Sequence, residues 1–354
     1  MVHAKNVTWI LVGLLTILVL INTYTALSIN GLTNDLAATA DEANRPAKIQ
    51  LVTLTNAACT DCYDVTTVAD AIKTENVEIT EEKSIEYTDA EAQALIETYG
   101  IEKIPTIIVT GELSKATLSG LEERDDALIL ADLTPVYYDI SSGTYRGRIQ
   151  IKQIINEDCE ECYDMDNFIQ VLQTVMVISS QETVNLADAE EDIAMYNLAE
   201  LSAIIISGDL ELYPEIVPSL EALGTYVGEE LILTSKLNPP YWDLTENEVK
   251  GLVTITYLTD ESCGDCYNVN VHTAVLENYG LYLAEELTID ISSTEGQEIL
   301  EKYEITKVPT IILSADASHY QAITDVWESV GTIENDGSYV FRELDLVSGN
   351  YTSL

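Results

Sequence analysis

The chain has 354 residues, 47% of them apolar, so it is long enough for two or three packed domains and is not expected to be disordered. It carries 61 acidic and 16 basic residues, a formal net charge of −45 at pH 7. This balance excludes nucleic acid as a partner, because phosphate binding needs clustered Lys and Arg. The excess carboxylates either form an ordinary solvated surface or adapt the protein to high salt, where their repulsion is screened.

An uncharged segment lies near the amino end. No charged residue occurs between Lys5 and Asp35, and residues 7–29 reach the length of roughly 20 residues that a membrane-spanning helix needs. The lysine on the amino side predicts a cytoplasmic amino end. We expect an uncleaved signal anchor at residues 7–29; the alternative is a signal peptide processed near residues 38–40. Both interpretations place the following residues outside the cytoplasm, and the first predicts a single-pass protein of the cell membrane.

A polar, alanine-rich stretch at residues 30–47 is predicted to be a stalk. A unit of about 100 residues, a common domain size, then recurs three times, which predicts domains at residues 48–145, 146–249 and 250–347. Each unit opens with β-branched residues at period two, typical of a strand. Each then carries one C-x-x-C pair, and the pairs contain every cysteine of the chain: Cys59 and Cys62, Cys159 and Cys162, Cys263 and Cys266.

After each pair the apolar period becomes that of a helix, and a second strand and a second helix follow. The next strand begins with Ile104-Pro105-Thr106 in repeat one and with Val308-Pro309-Thr310 in repeat three. Repeat two has Ser202 in place of the proline. Residues 125–133, which close repeat one, fit a helix or a strand. Proline with large aromatic residues at 135–140 and 239–244 predicts packed linkers between repeats.

This order of elements, with a C-x-x-C between strand and helix and a Pro-Thr opening a later strand, resembles the thioredoxin superfamily. The resemblance covers roughly residues 48 to 345 and implies an α/β protein: three tandem thioredoxin-like domains, each a mixed sheet flanked by helices, after an amino-terminal transmembrane helix. Such an arrangement is similar to that of protein disulfide isomerases. Repeat two, which lacks the proline, is expected to be degenerate.

The resemblance also implies roles for individual residues. Pro105 and Pro309 would form cis peptide bonds beside the dithiols and, with Thr106 and Thr310, bind substrate backbone. The first cysteine of each pair would attack, and the second would resolve the mixed disulfide. A helix amino terminus at the pair lowers thiol pKa values. The carboxylates inside the motifs oppose this effect: Asp61, Glu160, Glu161 and Asp265.

The sequence therefore predicts a thiol–disulfide oxidoreductase that acts on exported proteins, exchanges electrons with a redox partner and needs no cofactor. The alternative is a non-catalytic scaffold whose pairs are structural disulfides. No metal site is expected, because zinc needs four ligands and each domain offers two thiolates. Where many thioredoxins carry an interior acid, the three repeats have Thr53, Gln153 and Tyr257, which predicts weaker general reductase activity.

Overall fold

The amino-terminal segment is described only in part. The computed structural model describes residues 19–25, 28, 42, 45–235 and 238–354. The predicted signal anchor at residues 7–29 and the predicted stalk therefore lie mostly outside the described residues. Residues 19–25 are helical and exposed. Among the described residues, no helix combines the length and the apolar character needed to cross a membrane.

The chain divides into two compact units, Met1–Arg146 and Gly147–Leu354. The first unit holds repeat one, and the second holds repeats two and three. The finer division into three domains, with its boundaries at residues 145 and 249, stays a prediction.

Repeat one is a mixed five-stranded sheet with helices and a small second sheet. Its elements are β1 (Ala47–Thr55), α1 (Thr66–Thr74), β2 (Val77–Glu86), α2 (Ala90–Tyr99), β3 (Lys103–Ile104), β4 (Thr106–Gly111), a 3-10 turn (Leu113–Lys115), β5 (Glu122–Arg124), β6 (Ala127–Ile129), β7 (Tyr137–Asp139) and β8 (Thr144–Arg146). The main sheet has the order β2-β1-β4-β6-β5, with β1 parallel to β2 and antiparallel to β4. Within residues 125–133, for which the sequence fits a helix or a strand, Ala127–Ile129 form the second strand of the β5–β6 hairpin.

Repeat two has the same order of strands as repeat one, with an additional 3-10 turn and an additional helix, α5 (Val217–Leu223). Its elements are β9 (Arg148–Ile155), α3 (Asp166–Val175), β10 (Val177–Asn185), a 3-10 turn (Leu186–Asp188), α4 (Glu190–Tyr196), β11 (Glu200–Leu201), β12 (Ala203–Gly208), a 3-10 turn (Leu210–Leu212), α5, β13 (Thr225–Val227), β14 (Glu230–Thr234), β15 (Tyr241–Asp243) and β16 (Glu248–Lys250). The main sheet order is β10-β9-β12-β14-β13.

Repeat three repeats the pattern once more. Its elements are β17 (Val253–Thr259), α6 (Val271–Asn278), β18 (Leu283–Asp290), α7 (Thr294–Lys302), β19 (Lys307–Val308), β20 (Thr310–Leu313), a 3-10 turn (Ala315–His319), α8 (Gln321–Trp327), β21 (Gly331–Ile333), β22 (Tyr339–Phe341), a 3-10 turn (Leu344–Leu346) and β23 (Thr352–Ser353). The main sheet order is β18-β17-β20-β22-β21.

Apolar residues cover both faces of each main sheet, as the strand alternation predicts. In repeat two, Ile149 and Ile151 of β9 pack with Ile169 of α3 on one face. Ile154 of the same strand and Ile205 of β12 pack on the other face, where α4 lies. At about 25 cal/mol per Å² of buried apolar surface, such two-sided burial is the main stabilisation of the fold. In each main sheet the first two strands of the repeat are parallel and the other neighbouring strands are antiparallel. This arrangement is thioredoxin-like in each repeat.

The residues predicted as linkers differ from the expectation. Together with residues 350–354 of repeat three, they form three segments that we call straps: residues 136–140, 240–244 and 350–354, one in each repeat. In repeat one the strap contains β7, which pairs antiparallel with β3 and with β8. The straps of repeats two and three pair in the same way with β11 and β19. The third strap lies beyond the predicted domain end at residue 347 and pairs with repeat three.

Candidate active site

Each C-x-x-C pair forms a disulfide. The Cα atoms of the paired cysteines are 5.4 Å apart in repeats one and two and 5.5 Å apart in repeat three. This separation lies in the normal range for disulfides. All six cysteines are half-buried, and none among the described residues is a free thiol. The pairs are therefore placed at the surface, within reach of a partner thiol or disulfide.

The loop before each pair is held by a side chain three positions before the first cysteine. Asn56 Oδ1 accepts the backbone N–H of Ala58 at 3.1 Å, and the Asn56 carbonyl accepts the N–H of Cys59 at 3.0 Å. Asn156 makes the same contacts in repeat two, and Asp260 makes them in repeat three. Such turns use the short polar side chain to satisfy backbone donors outside regular structure.

The helix after each pair begins later than the sequence predicts. The first residues of the three helices are Thr66, Asp166 and Val271, beyond the second cysteine of each pair. The intervening Asp64 accepts the N–H of Thr66 at 2.9 Å, and Asp164 and Asn268 form equivalent turns. Because the dipole effect falls off outside the first turn, each helix stabilises a negative charge at the pair less than a helix that began at the pair would.

A cis peptide bond lies beside the pair in all three repeats. The implied cis prolines are confirmed at Ile104–Pro105 and Val308–Pro309, and the Leu201–Ser202 bond of repeat two is also cis. Pro105 lines a cavity of about 720 Å³ together with Cys59 and Cys62. Ser202 lines one of about 420 Å³ with Cys159 and Cys162. In repeat three the contact runs through Tyr267, whose hydroxyl donates to the Pro309 carbonyl at 3.0 Å.

The threonines after the cis prolines face inward. Thr106 and Thr310 are fully buried. Their hydroxyls donate to the carbonyls of Leu130 and Phe341, each at 2.6 Å. Both hydroxyls are therefore used within the sheet, and the expected binding of substrate backbone at Pro105, Thr106, Pro309 and Thr310 stays a prediction.

The straps cover the backbone that the resemblance assigns to substrate. The residue before each cis bond is paired with a strap residue: Ile104 with Tyr138, Leu201 with Trp242 and Val308 with Thr352. The strap also reaches the dithiol loop, where a strap carbonyl accepts the N–H of Tyr63 at 2.8 Å, of Tyr163 at 2.7 Å and of Tyr267 at 2.9 Å. A substrate strand would have to displace the strap to pair here.

The sequence did not reveal this role of the straps or of the tyrosines after the pairs. A weak signal exists: Tyr137, Tyr241 and Tyr351 occupy the second position of each strap. In the first two straps an aromatic residue and an aspartate follow the tyrosine. The third strap keeps only the tyrosine, so the sequence pattern of the first two straps does not extend to it.

Carboxylates lie close to the first cysteines. Cys59 Sγ is 3.5 Å from an Asp61 carboxylate oxygen, and Cys263 Sγ is 3.8 Å from one of Asp265. A nearby negative charge disfavours a thiolate and so opposes activation. In repeat two, Glu161 occupies the position of these two aspartates, and Glu160 precedes it. Within the described residues, no cluster of three or more His, Cys, Asp or Glu side chains could hold a metal ion.

The residues that replace the interior acid differ in each repeat. Gln153 is buried, and its Oε1 atom has no hydrogen-bond partner. Tyr257 donates its hydroxyl proton to Glu286 at 2.6 Å, and burial raises the pKa of Tyr257 to about 12. This tyrosine therefore stays protonated at neutral pH and does not take up a proton from the dithiol.

One histidine is buried beside the third pair. The His272 ring lies 4.7 Å from that of Phe341, and His272 Nε2 is 3.3 Å from the Tyr267 hydroxyl. Burial lowers the pKa of His272 from 6.5 to about 4. The folded protein therefore holds the neutral imidazole at neutral pH.

We expect His272 to make stability depend on pH. Between pH 6.5 and about 4, the unfolded chain binds a proton at His272 that the folded chain does not. The free energy of unfolding therefore has its full value above pH 6.5 and decreases as the pH falls toward about 4. Replacing His272 with Gln should flatten the dependence of the urea midpoint on pH within this window and leave it parallel to the parent above pH 7. An unchanged slope would show that His272 does not titrate on unfolding.

Comparisons with known proteins give weak similarities only. No family model and no curated protein matches the chain. Among solved structures, the alkylhydroperoxide reductase protein AhpF of Enterococcus faecalis is 11% identical with a TM-score of 0.17, over 47% of this chain and 81% of that one. A protein disulfide oxidoreductase from Aeropyrum pernix is 16% identical with a TM-score of 0.15, over 50% and 83%. Human ERp44 is 14% identical with a TM-score of 0.14, over 77% and 78%.

The assignment to a thioredoxin-like fold rests on this chain's own features: the strand order of each repeat, the C-x-x-C pair between strand and helix, and the cis bond beside it. Together they support a general role in thiol–disulfide exchange.

Proposed function

We propose that this protein is a membrane-anchored thiol–disulfide oxidoreductase that acts outside the cytoplasm on the disulfides of exported proteins. The observation that carries the exchange chemistry is the half-buried disulfide beside a cis bond, formed in repeat one by Cys59 and Cys62 next to Pro105. A thiolate on the first cysteine attacks a partner disulfide, and the second cysteine resolves the mixed disulfide.

The test of the exchange activity uses the full chain, reduced and freed of reductant. Mixed with insulin, it is expected to reduce insulin disulfides and to become oxidised in proportion. A chain with all six cysteines replaced by serine is the control and should do neither. Equilibration with glutathione buffers then separates exchange from a structural role. Pairs that glutathione cannot reduce would contradict the proposal and support the scaffold alternative.

The membrane location is proposed from the uncharged segment at residues 7–29 and its flanking charges. Protease added to intact cells is expected to remove the repeats, because they would lie outside the cytoplasm. A cytoplasmic protein of the same cells, followed in parallel, controls for lysis. Full protection of the repeats while the cells stay intact would contradict this location.

A further inference from the structure

The third dithiol differs from the other two in the side chain that lies beside its second cysteine. Cys266 Sγ is 3.8 Å from the hydroxyl oxygen of Thr352 in the strap. The same hydroxyl is 2.7 Å from Asp260 Oδ2 and donates to it. A half-buried cysteine is thus linked to a carboxylate through one hydroxyl group.

The acid and the hydroxyl occur together in only one repeat. The position of Asp260 is held by Asn56 in repeat one and by Asn156 in repeat two. The strap position of Thr352 is held there by Tyr138 and Trp242. In repeat one, Asn56 Nδ2 is buried and has no partner. Only repeat three therefore combines a proton acceptor with a group that connects it to the sulfur.

Several contacts fix the strap of repeat three at this place. Asn350 accepts the N–H of Tyr267, and its side-chain amide donates to Asp265 Oδ2 at 2.8 Å. Gly349 has φ +137°, and a Cβ atom there would lie 2.6 Å from Cβ of Tyr267. This close approach requires glycine. The hydroxyl of Thr352 is therefore positioned by contacts on both sides of the dithiol loop.

We propose that Asp260, acting through Thr352, accepts the proton of Cys266 when this cysteine resolves a mixed disulfide. The inference rests on the proposed exchange function and assigns a proton path to one of its three sites. The Cys266 thiol proton passes to Thr352 Oγ1, whose own proton passes to Asp260. The Cys266 sulfur bonds to the Cys263 sulfur, and the bond from Cys263 to the partner sulfur breaks. The partner leaves as a thiolate with the bonding electron pair.

The surroundings keep Asp260 ionised and ready to accept. Asp260 is 9% exposed. Hydrogen bonds from Ser262 and then Thr352 lower the pKa of Asp260, whereas burial and then the charge of Asp290 raise it. Asp265 of this loop accepts from the Asn350 amide. The ring of the strap residue Tyr351 lies 4.8 Å from Lys307 Nζ, and its hydroxyl donates to Asp345. Proton acceptance from the thiol is the general-base step that such a group can supply.

The test isolates the third pair in the full chain. Cys59, Cys62, Cys159 and Cys162 are replaced by serine, and the reduced protein is mixed with excess dithiobis(nitrobenzoate). The first release of coloured thiol reports attack by Cys263. The second, intramolecular release reports resolution by Cys266. We expect Asp260→Asn and Thr352→Val each to slow the second phase about tenfold or more at pH 7 without slowing the first.

Further variants separate a proton path from a purely electrostatic effect. Removing a negative charge lowers the pKa of a nearby thiol, so without proton transfer Asp260→Asn would accelerate resolution. Thr352→Ser keeps the hydroxyl and should retain the parent rate. The combined variant should be no slower than either alone, because both residues lie on one path. In the slowed variants, the rate of the second phase should recover as the pH rises, because hydroxide then accepts the Cys266 proton in place of Asp260.

The outcomes are distinct. Acceleration by Asp260→Asn, or no effect of Thr352→Val, would overturn the proton path. Asn56→Asp in a chain that keeps only the first pair is the matched control, and it should not accelerate resolution because Tyr138 cannot connect the acid to Cys62. Folding is not expected to limit the test, since Asn occupies this position in the other repeats. The two proposals can also fail separately. If the second phase is fast and needs Asp260, but the protein does not reduce insulin, the proton path is supported and the proposed function is contradicted.

Discussion

A full-length chain that keeps only the second cysteine pair is expected to have about a tenth or less of the insulin-reducing activity of chains that keep only the first or only the third pair. The reason is electrostatic. Glu160 and Glu161 lie between the cysteines of repeat two, and Asp158 precedes them. Each carboxylate disfavours the thiolate, and one pKa unit changes the thiolate fraction about tenfold near neutral pH. Initial rates of insulin reduction measure the difference.

A matched variant tests this cause. Glu160→Thr with Glu161→Asp gives repeat two the Cys-Thr-Asp-Cys motif of repeat one, and it should recover part of the lost activity. Among single cysteine variants of the whole chain, Cys59→Ser or Cys263→Ser should cost more activity than Cys159→Ser. If Cys159→Ser were the most damaging of the three, the division of labour would be wrong, and the site beside Ser202 would have to be a specialised active centre.

Raising the salt concentration is expected to stabilise the protein by a large amount. With 61 acidic and 16 basic residues, most carboxylates cannot be paired. The ion pairs of the described residues, such as Lys73 with Glu82 at 2.7 Å, lie at the surface and contribute little individually. The screening length falls from ~30 Å at 0.01 M to ~3 Å at 1 M salt, so repulsion between the remaining charges fades.

Thermal unfolding followed between dilute buffer and 1 M KCl measures this effect. We expect Tm to rise by about 5 to 10 °C, which corresponds to ~2–3 kcal/mol for a unit of this size. Most of the rise should occur at low ionic strength, where the screening length changes most. A Tm that stays level or falls over this range would contradict an adaptation to high salt.

The chemistry of the site could be predicted from the sequence better than its surroundings. The cysteine pairs follow from local motifs, and the two cis prolines follow from the resemblance to the thioredoxin superfamily. The cis bond before Ser202 could not be predicted, because non-proline residues carry almost no signal for it. The late helix starts were missed because Asp64 and its counterparts satisfy backbone donors in a turn that hydrophobic periodicity does not register.

Long-range contacts account for the remaining differences. A strap pairs through two residues in each repeat, which is too short to show an alternation pattern, and its proline and aromatic residues resemble those of a linker. The contact of Asp260 with Thr352 joins opposite ends of repeat three. Neither residue has a neighbour in sequence that indicates its partner. The burial of Thr106 could not be predicted either, because it depends on how β4 packs in the folded sheet.

The straps make each site compete with its own chain. A strap is tethered to the strand it covers, so an incoming peptide meets a competitor whose effective concentration is of the order of millimolar for short connections. Extended segments of unfolded chains that bind weakly would not displace the strap and so would not reach the site. A partner that also contacts the protein elsewhere gains enough affinity to displace the strap. Selectivity among client proteins would then depend on this second contact and not on the sequence around the client disulfide.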